Sequence, residues 1–346
     1  MTKKDKTPGP KRPATIKTVA AELGVSLATV SRAIRGGELV HPETRKRVLE
    51  VAHRQGYRRN VHGANLRLGR TSTFCAVLRS DDSLDFGDPS MMHLIRGLIT
   101  GAEERGFSMM ILPVTTDDGL FPALRNAIGD GRFDGVVIDH TLAHDDRAEY
   151  LLESGFPFIS FGRTHLSDEH AYFDVDNRDA AYQATRNLID KGHAEIALID
   201  APGQYTFTRQ RQQGYLDALT DAGIEPDPDL MHFGPLRSNH VQNVLGPLFE
   251  RSSPPTGLVI ANEVSTLSAI RFCRSKGIDL RKVDVTSRDG TRFFDYFEPS
   301  VDSVYYPILT AGQRLTSMLA DVVSGVAPKE LQIVEKAQLI ARNVRS

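Results

Sequence analysis

This 346-residue chain contains no tryptophan and only two cysteines, Cys75 and Cys273, which are far apart and share no metal-ligand spacing. That excludes a disulfide scaffold and a thiolate metal site, and both cysteines read as buried thiols in a reducing cytoplasm. No apolar run approaches the roughly 20 residues that span a bilayer. The opening MTKKDKTPGPKRP is basic but lacks the apolar segment of a secretory signal. Catalytic signatures are missing as well: no phosphate-binding P-loop, no GxGxxG after a strand, no GxSxG elbow and no HExxH. The eleven histidines are scattered, and the acidic stretch SDDSLDFGD (80–88) reads as an exposed loop rather than a metal site. The chain is therefore expected to be no enzyme and to carry no cofactor and no metal.

Net charge is nearly absent too, at −2, but this sum conceals a division. Residues 1–70 hold 16 Lys and Arg against 5 Asp and Glu, a net of +11, and the remainder is acidic at −13. A small basic domain leading an acidic body is the electrostatic footprint of nucleic-acid binding. The plainer alternative is a solvated basic face.

Three short helices are written into the basic part. Thr15 is placed to cap a helix over Ile16–Leu23 that stops at Gly24, with Ile16, Val19, Ala20 and Leu23 as one apolar stripe. Ser26 caps the next, whose stripe is Val30, Ala33 and Ile34 and whose stop is Gly36. Pro42 and Glu43 open a third, with Val48, Leu49, Val51 and Ala52 toward the core and Gly56 at its end. Two short helices about a tight turn, closed by a third, describe a helix-turn-helix, in which the second helix enters the major groove by its N-terminal end. Its residues Leu27, Ala28, Thr29, Ser31 and Arg32 are then the exposed ones, short hydroxyls and Arg suiting phosphates and base edges. A plain three-helix cap is the alternative.

The string TIKTVAAELGVSLATVSRAIRG…HPETRKRVLEVAHRQGY resembles the DNA-binding domain of the lactose-repressor (LacI/GalR) family, and RRNVHGANLRLGRTSTFCAVL resembles the hinge and first core strand that follow it. The resemblance implies a cytoplasmic, nucleoid-associated transcription regulator that binds a pseudo-palindromic double-stranded DNA operator as a homodimer. Its DNA-contacting positions would be Thr15, Ser26, Leu27, Ala28, Thr29, Ser31, Arg32, Arg35 and Asn60, with Leu66 in the place of the family's minor-groove leucine. Two departures weaken the hinge helix: Arg59 stands where a proline often precedes Asn60, and Gly63 costs roughly 1 kcal/mol relative to Ala.

From Thr73 the pattern changes. Short apolar runs (TFCAVL, SMMILPV, DGVVIDH, PFISFG, then AYFDVDN, EIALID, DLMHFG, GLVIAN, KVDVTS) alternate with helical segments near 91–106, 121–129, 144–154, 178–191, 208–222, 238–251 and 263–276. Alternating βα units give parallel sheets with helices on both faces, and two series of them suggest two α/β lobes around a cleft. One more strand and helix follow in VDSVYYPILTAGQRLTSMLADVVSG, and a last strand pair in KELQIVEKAQLIAR. The family resemblance extends here and implies a periplasmic-binding-protein-like core crossed three times by the chain, near Asp174–Asp176, Asp302–Tyr305 and Val334–Lys336. The expected organisation is a basic tail (1–14), an all-α helix-turn-helix head (15–58), a hinge (59–72) and a core (73–346). The core divides into one lobe over about 73–174 and 303–334 and another over about 175–302 and 335–346. No leucine heptad follows Arg342, which favours a dimer over a tetramer. A solute receptor or an enzyme on the same core is the competing reading; the receptor would need a signal peptide and would lack the head.

Ligands of two-lobe α/β folds lie at the carboxyl ends of strands. Arg163 follows PFISFG, Asn262 follows GLVIA and Asp289 follows VDVTSR. By resemblance, Arg211 in RQRQQGYLDAL matches the family's ligand-gripping arginine, Asn262 and Asp289 match positions that bind sugar hydroxyls, and Asp139 and Phe207 join the set. Each could instead be structural, an arginine after a strand often sitting in an ion pair. Arg237 and Arg288 stand where sugar-binding members often have aromatics. An arginine-rich, aromatic-poor cleft points to a small effector that is a sugar or an anionic sugar derivative.

Overall fold

In the computed structural model of the chain, residues 14–35, 40–57, 71–80, 89–288 and 292–342 are described. Two compact units result, Met1–Gly69 and Arg70–Ser346. The expected tail, the hinge residues Asn60 and Leu66, and Asp289 fall outside the described residues, as does the side chain of Arg35.

The first unit contains α1 (Ile16–Leu23), α2 (Leu27–Arg35) and α3 (Pro42–Arg54). Thr15 and Thr18 cap each other's backbone N–H at the start of α1, and Gly24 ends it at φ 65°, a left-handed conformation open to glycine. Val19, Ala20, Val30, Ala33, Val48, Val51 and Ala52 form the buried core. Leu49 does not join them: it is 46% exposed, because the inward face of α3 is covered by the 48, 51, 52 positions and Leu49 lies off that face.

The second unit holds two six-stranded sheets. Its elements run β1 (Thr73–Arg79), α4 (Pro89–Glu104), β2 (Ser108–Val114), α5 (Asp117–Gly129), β3 (Gly135–Ile138), α6 (Asp146–Glu153), β4 (Phe158–Phe161) and β5 (Ala171–Val175). Then come α7 (Asn177–Asp190), β6 (Ile196–Asp200), α8 (Thr206–Asp221), β7 (Met231–Phe233), α9 (Ser238–Phe249), β8 (Gly257–Ile260), α10 (Glu263–Ser275) and β9 (Asp284–Ser287). The chain closes with β10 (Asp302–Tyr305), α11 (Ile308–Val323), β11 (Gln332–Glu335) and β12 (Gln338–Ile340). The first sheet has the order β11-β5-β4-β3-β1-β2 and is parallel throughout. The second has the order β12-β10-β9-β8-β6-β7 and is parallel except for antiparallel β12 at its edge.

These strands read as unbroken apolar runs because helices cover both faces, and β3 and β8 are buried at every position. In the first lobe Phe74, Leu94, Leu98, Ile159, Phe173 and Leu315 pack together, fully removing large apolar side chains from water at about 1.5–3 kcal/mol each. Helices α4 and α11 touch backbone to backbone, where a Cβ on Gly97 would lie 2.1 Å from the Leu309 carbonyl oxygen.

Two expectations change. The last two strands do not pair with each other: β11 extends the first sheet beside β5, and β12 joins the second beside β10. Strand β10 also belongs to the second sheet, so the crossing expected near Asp302–Tyr305 falls at the end of that stretch, and 303–305 go to the second lobe rather than the first. Asp302 sits within that strand and accepts from Asn187 on α7 and from Lys191 just past its end, which anchors β10 to the second lobe.

Candidate functional site

In the first unit the residues expected to meet DNA gather at the start of α2. Ser26 Oγ accepts from the backbone N–H of Thr29 at 3.0 Å and lies 2.8 Å from the Thr29 hydroxyl, so both hydroxyls belong to the cap. Leu27, Ala28 and Arg32 are exposed, while Thr29 and Ser31 are half-buried. Thr15 lies at the head of α1, its side chain accepting from Thr18 N–H. Gln55, just past α3, accepts from the Thr18 hydroxyl at 2.8 Å and ties the first helix to the third. The exposed end of α2 thus presents a partial positive charge, an apolar Leu27–Ala28 pair and an Arg, a set able to meet phosphate oxygens and thymine methyls.

In the second unit a cavity of about 160 Å³ opens between the lobes at the carboxyl ends of the strands. Asp139 follows β3, Asp174 is the last residue but one of β5, Asn262 follows β8 and Arg288 follows β9, so four strand ends reach one space. Phe207 and Arg211 enter it from the first turns of α8. An outer chamber of about 480 Å³ shares His140 and Asn262 with it and is walled by Met92, Pro202, Pro235 and Arg237.

A continuous polar chain crosses the floor of the cavity. Arg163 Nε donates to Asp174 Oδ2 at 2.8 Å. Asn177 Nδ2 donates to Asp174 Oδ1 at 3.1 Å, and Asn177 Oδ1 accepts from Arg211 Nε at 3.2 Å. Arg211 Nη1 then donates to Asp200 Oδ1 at 3.1 Å. Burial raises the Asp174 and Asp200 carboxyls above the ordinary range, and Arg163 and Arg211 offset this only in part. The charge of Arg288 acts on both in the same sense. Arg211 also lies over the Phe207 ring, its guanidinium carbon 4.6 Å from the centroid.

The remaining expected residues take more peripheral or structural places. Arg163 reaches Asp174 but does not line the inner cavity, in keeping with the ion-pair alternative. Arg237 lines only the outer chamber, as the N-cap of α9. Asn262 caps α10, its Oδ1 accepting from Ser265 N–H at 2.9 Å, which leaves the side-chain NH₂ as its donor. Asp139 accepts the Arg79 N–H at 3.0 Å and lies 3.0 Å from His140 Nδ1. His140 itself sits at φ 48°, a conformation that β-carbons disfavour. That turn places the carbonyls of Asp139 and His140 within reach of one guanidinium nitrogen of Arg147, at 2.9 and 3.1 Å.

Sequence reasoning passed over Asp174, Asn177, Asp200 and His140. The strand-end rule that selected Arg163 and Asn262 applies equally to Asp174 in FDVDN and Asp200 in EIALID, so the signal was there. Their pairing with particular arginines was not.

The family model described as "Periplasmic binding proteins and sugar binding domain of LacI family" matches residues 71–332, and "Bacterial regulatory proteins, lacI family" matches residues 15–60. The chain belongs to the LacI family. It is 30% identical to the HTH-type transcriptional regulator RafR of Escherichia coli over 321 residues, covering 92% of this chain and 94% of that one. A solved complex of the transcriptional regulator CelR with cellobiose is 28% identical at a TM-score of 0.72, with 95% of this chain and 99% of that chain covered. The lac repressor dimer bound to operator and an anti-inducer aligns at a TM-score of 0.81 over 96% of this chain and 99% of its own, and at 21% identity shows the shared fold. This LacI-family chain is accordingly a DNA-binding transcription regulator and not an enzyme. Among the described residues no helix is long and apolar enough to cross a membrane.

Proposed function

We propose that this LacI-family regulator is a cytoplasmic, nucleoid-associated repressor of carbohydrate-metabolism genes. It binds a pseudo-palindromic operator as a homodimer and is controlled by a neutral, polyhydroxylated sugar in the interlobe cavity. The observation that carries the choice of ligand is the compensation of charge on the cavity floor. Arg163, Arg211 and Arg288 stand there against Asp174, Asp200 and Asp139, three cations against three acids, so the cavity offers no net positive charge to an anion. Paired guanidinium donors and carboxylate acceptors suit neighbouring hydroxyls, each of which donates and accepts. Aromatic surface is present despite the lack of tryptophan: Phe161, Phe207 and His140 line the cavity, and Tyr205 stacks on Phe207. The cellobiose found in CelR supports the same class of ligand.

In this reading Ser26, Leu27, Ala28, Thr29, Ser31, Arg32 and Arg35 face the major groove, Thr15 meets backbone phosphate, and Asn60 and Leu66 engage the minor groove from paired hinge segments. Leu66 acts there as an apolar wedge that unstacks a base step. Arg211, Asp139, Asn262, Phe207 and Asp289 hold the effector, with Arg163 behind them and Arg237 at the outer chamber. Ligand-dependent change in lobe spacing would favour or disfavour hinge pairing.

Two measurements test the proposal. Selection of bound duplexes from a random pool should return a near-palindromic site that a chain lacking residues 1–70 no longer binds. A thermal-shift panel of cellobiose, glucose, galactose, gluconate and glucose 6-phosphate should show stabilisation by a neutral sugar. Response to the acid or the phosphate alone would overturn the neutral-ligand reading.

A further inference from the structure

The three chain crossings leave and enter the sheets at one side. They involve β5, β10 and the β11–β12 connection, which lie at the β11-β5 end of the first sheet and the β12-β10 end of the second. The lobes also meet at the other side, through side chains from the opposite ends of both sheets. Asp117, the first residue of α5 after β2, accepts three donors there. Tyr205 Oη donates to Asp117 Oδ1 at 2.7 Å, and Gln204 Nε2 donates to Asp117 Oδ2 at 2.5 Å, both from the segment that follows β6 in the second lobe. Arg79 Nε, from the end of β1, donates to Asp117 Oδ1 at 2.7 Å within the first lobe.

The backbone closes the same junction. Thr206 N–H donates to the Thr141 carbonyl at 2.9 Å, and Leu142 and Tyr205 form an isolated antiparallel bridge. His140 of the first lobe stands edge-on to the rings of Tyr205 and Phe207, with centroids 5.1 and 5.6 Å apart. Tyr205 is only 4% exposed, and its hydroxyl meets Asp117 and Gln204 rather than water. Burial pushes the Asp117 carboxyl up, but the hydrogen bonds from Tyr205 and Arg79 outweigh it and hold the carboxyl below the usual range.

A contact far from a hinge controls opening more than one close to it, because rotation about the crossings displaces the far edge most. The geometry points to Asp117 and Tyr205 as a latch at the free edge of the cleft: positioning residues that set how closed the lobes stand before any effector arrives. This rests on the reading of the cleft as the effector site, and adds to it a source of closure that lies in the protein itself. Its consequence is that the latch and the effector act on one equilibrium, so weakening the first weakens apparent affinity for the second; because Asp117 and Tyr205 also wall the outer chamber, the interlobe distance without effector is the readout that isolates the latch.

The test is made on full-length protein without effector. Spin labels on Glu153→Cys in the first lobe and Glu225→Cys in the second report the interlobe distance by pulsed electron resonance; both sites are exposed. The native thiols are buried, with burial pushing Cys75 up to about 12 and Cys273 to about 11, so label goes to the introduced positions. Tyr205→Phe and Asp117→Asn should each move the distance distribution to longer values, and the double variant should move it no further than the stronger single, as for two halves of one contact. Unchanged distributions in both single variants, with native circular dichroism and melting behaviour, would overturn the latch. A shift in distance alongside a cleft that binds none of the panel sugars would leave the latch standing and remove the effector reading. Bound sugar with no shift in either variant would do the reverse.

Discussion

The guanidinium of Arg211 lies over the ring of Phe207, one turn earlier on the same helix, at 4.6 Å from the ring centroid. With Asn177 and Asp200 as its hydrogen-bond partners, this stacking leaves Arg211 little freedom of orientation at the cavity wall. A donor held in place in this way loses little entropy when a ligand hydroxyl arrives.

Arg211→Ala should weaken effector binding by about 1.5–3 kcal/mol, the usual worth of a hydrogen bond to a charged group. It should also lower stability, because buried Asp200 loses its partner. Adding Asp200→Asn separates the two effects: the melting temperature should recover while calorimetric affinity for the sugar stays low. Recovery of affinity in the double variant would assign Arg211 to scaffold alone.

Ser26→Ala removes the side-chain acceptor for Thr29 N–H and should cost the head about 1 kcal/mol. Operator affinity should fall while sugar affinity in the second unit is kept. For the wild type, the logarithm of the operator binding constant should fall linearly with the logarithm of salt concentration, by about 0.9 per phosphate neutralised. A flat salt response would be incompatible with a basic head of net +11 gripping the DNA backbone.

Gly214 allows α7 and α8 to meet: a Cβ there would fall 2.0 Å from the Arg178 carbonyl oxygen, which is backbone and cannot swing away. Gly214→Ala should therefore destabilise the second unit by about 1–3 kcal/mol or more through forced separation of the helices. Chemical denaturation of the variant measures it. Gly129→Ala meets nothing within 4 Å and serves as the tolerated control.

Asp145 gives a pH prediction. Burial raises its carboxyl, but the hydrogen bonds and charge of Arg147 outweigh that and hold it below the ordinary aspartate range. A carboxyl lowered on folding contributes stability that is present above its unfolded value and lost as pH falls through its folded one. Denaturation midpoints across the acid range should thus fall more steeply for wild type than for Asp145→Asn, although the variant starts lower because Arg147 is left buried without its carboxylate. Parallel curves would show that the pair does not contribute to acid sensitivity.

Local chemistry alone determined much of this protein. Thr15, Gly24, Ser26 and Pro42 mark helix ends because each acts on backbone groups within a few residues, so no other part of the chain is needed. The apolar runs from TFCAVL to KVDVTS announce parallel strands because both their faces must leave water, and the VAxxxGVSxxTVSR string carries the family. Tertiary structure decided which charges neutralise which. In the sequence Arg163 and Arg211 stand equally well as ligand contacts or as members of ion pairs, and only the fold sets Asp174 and Asp200 beside them. Tyr205 and Asp117 are 88 residues apart and meet only because two sheets bring their far edges together. The same holds for β11 and β12, adjacent in sequence but placed in different sheets. Caps and periodicity depend on neighbours along the chain, whereas ion pairs, latches and strand partners depend on neighbours in space, which the sequence specifies only through the completed fold.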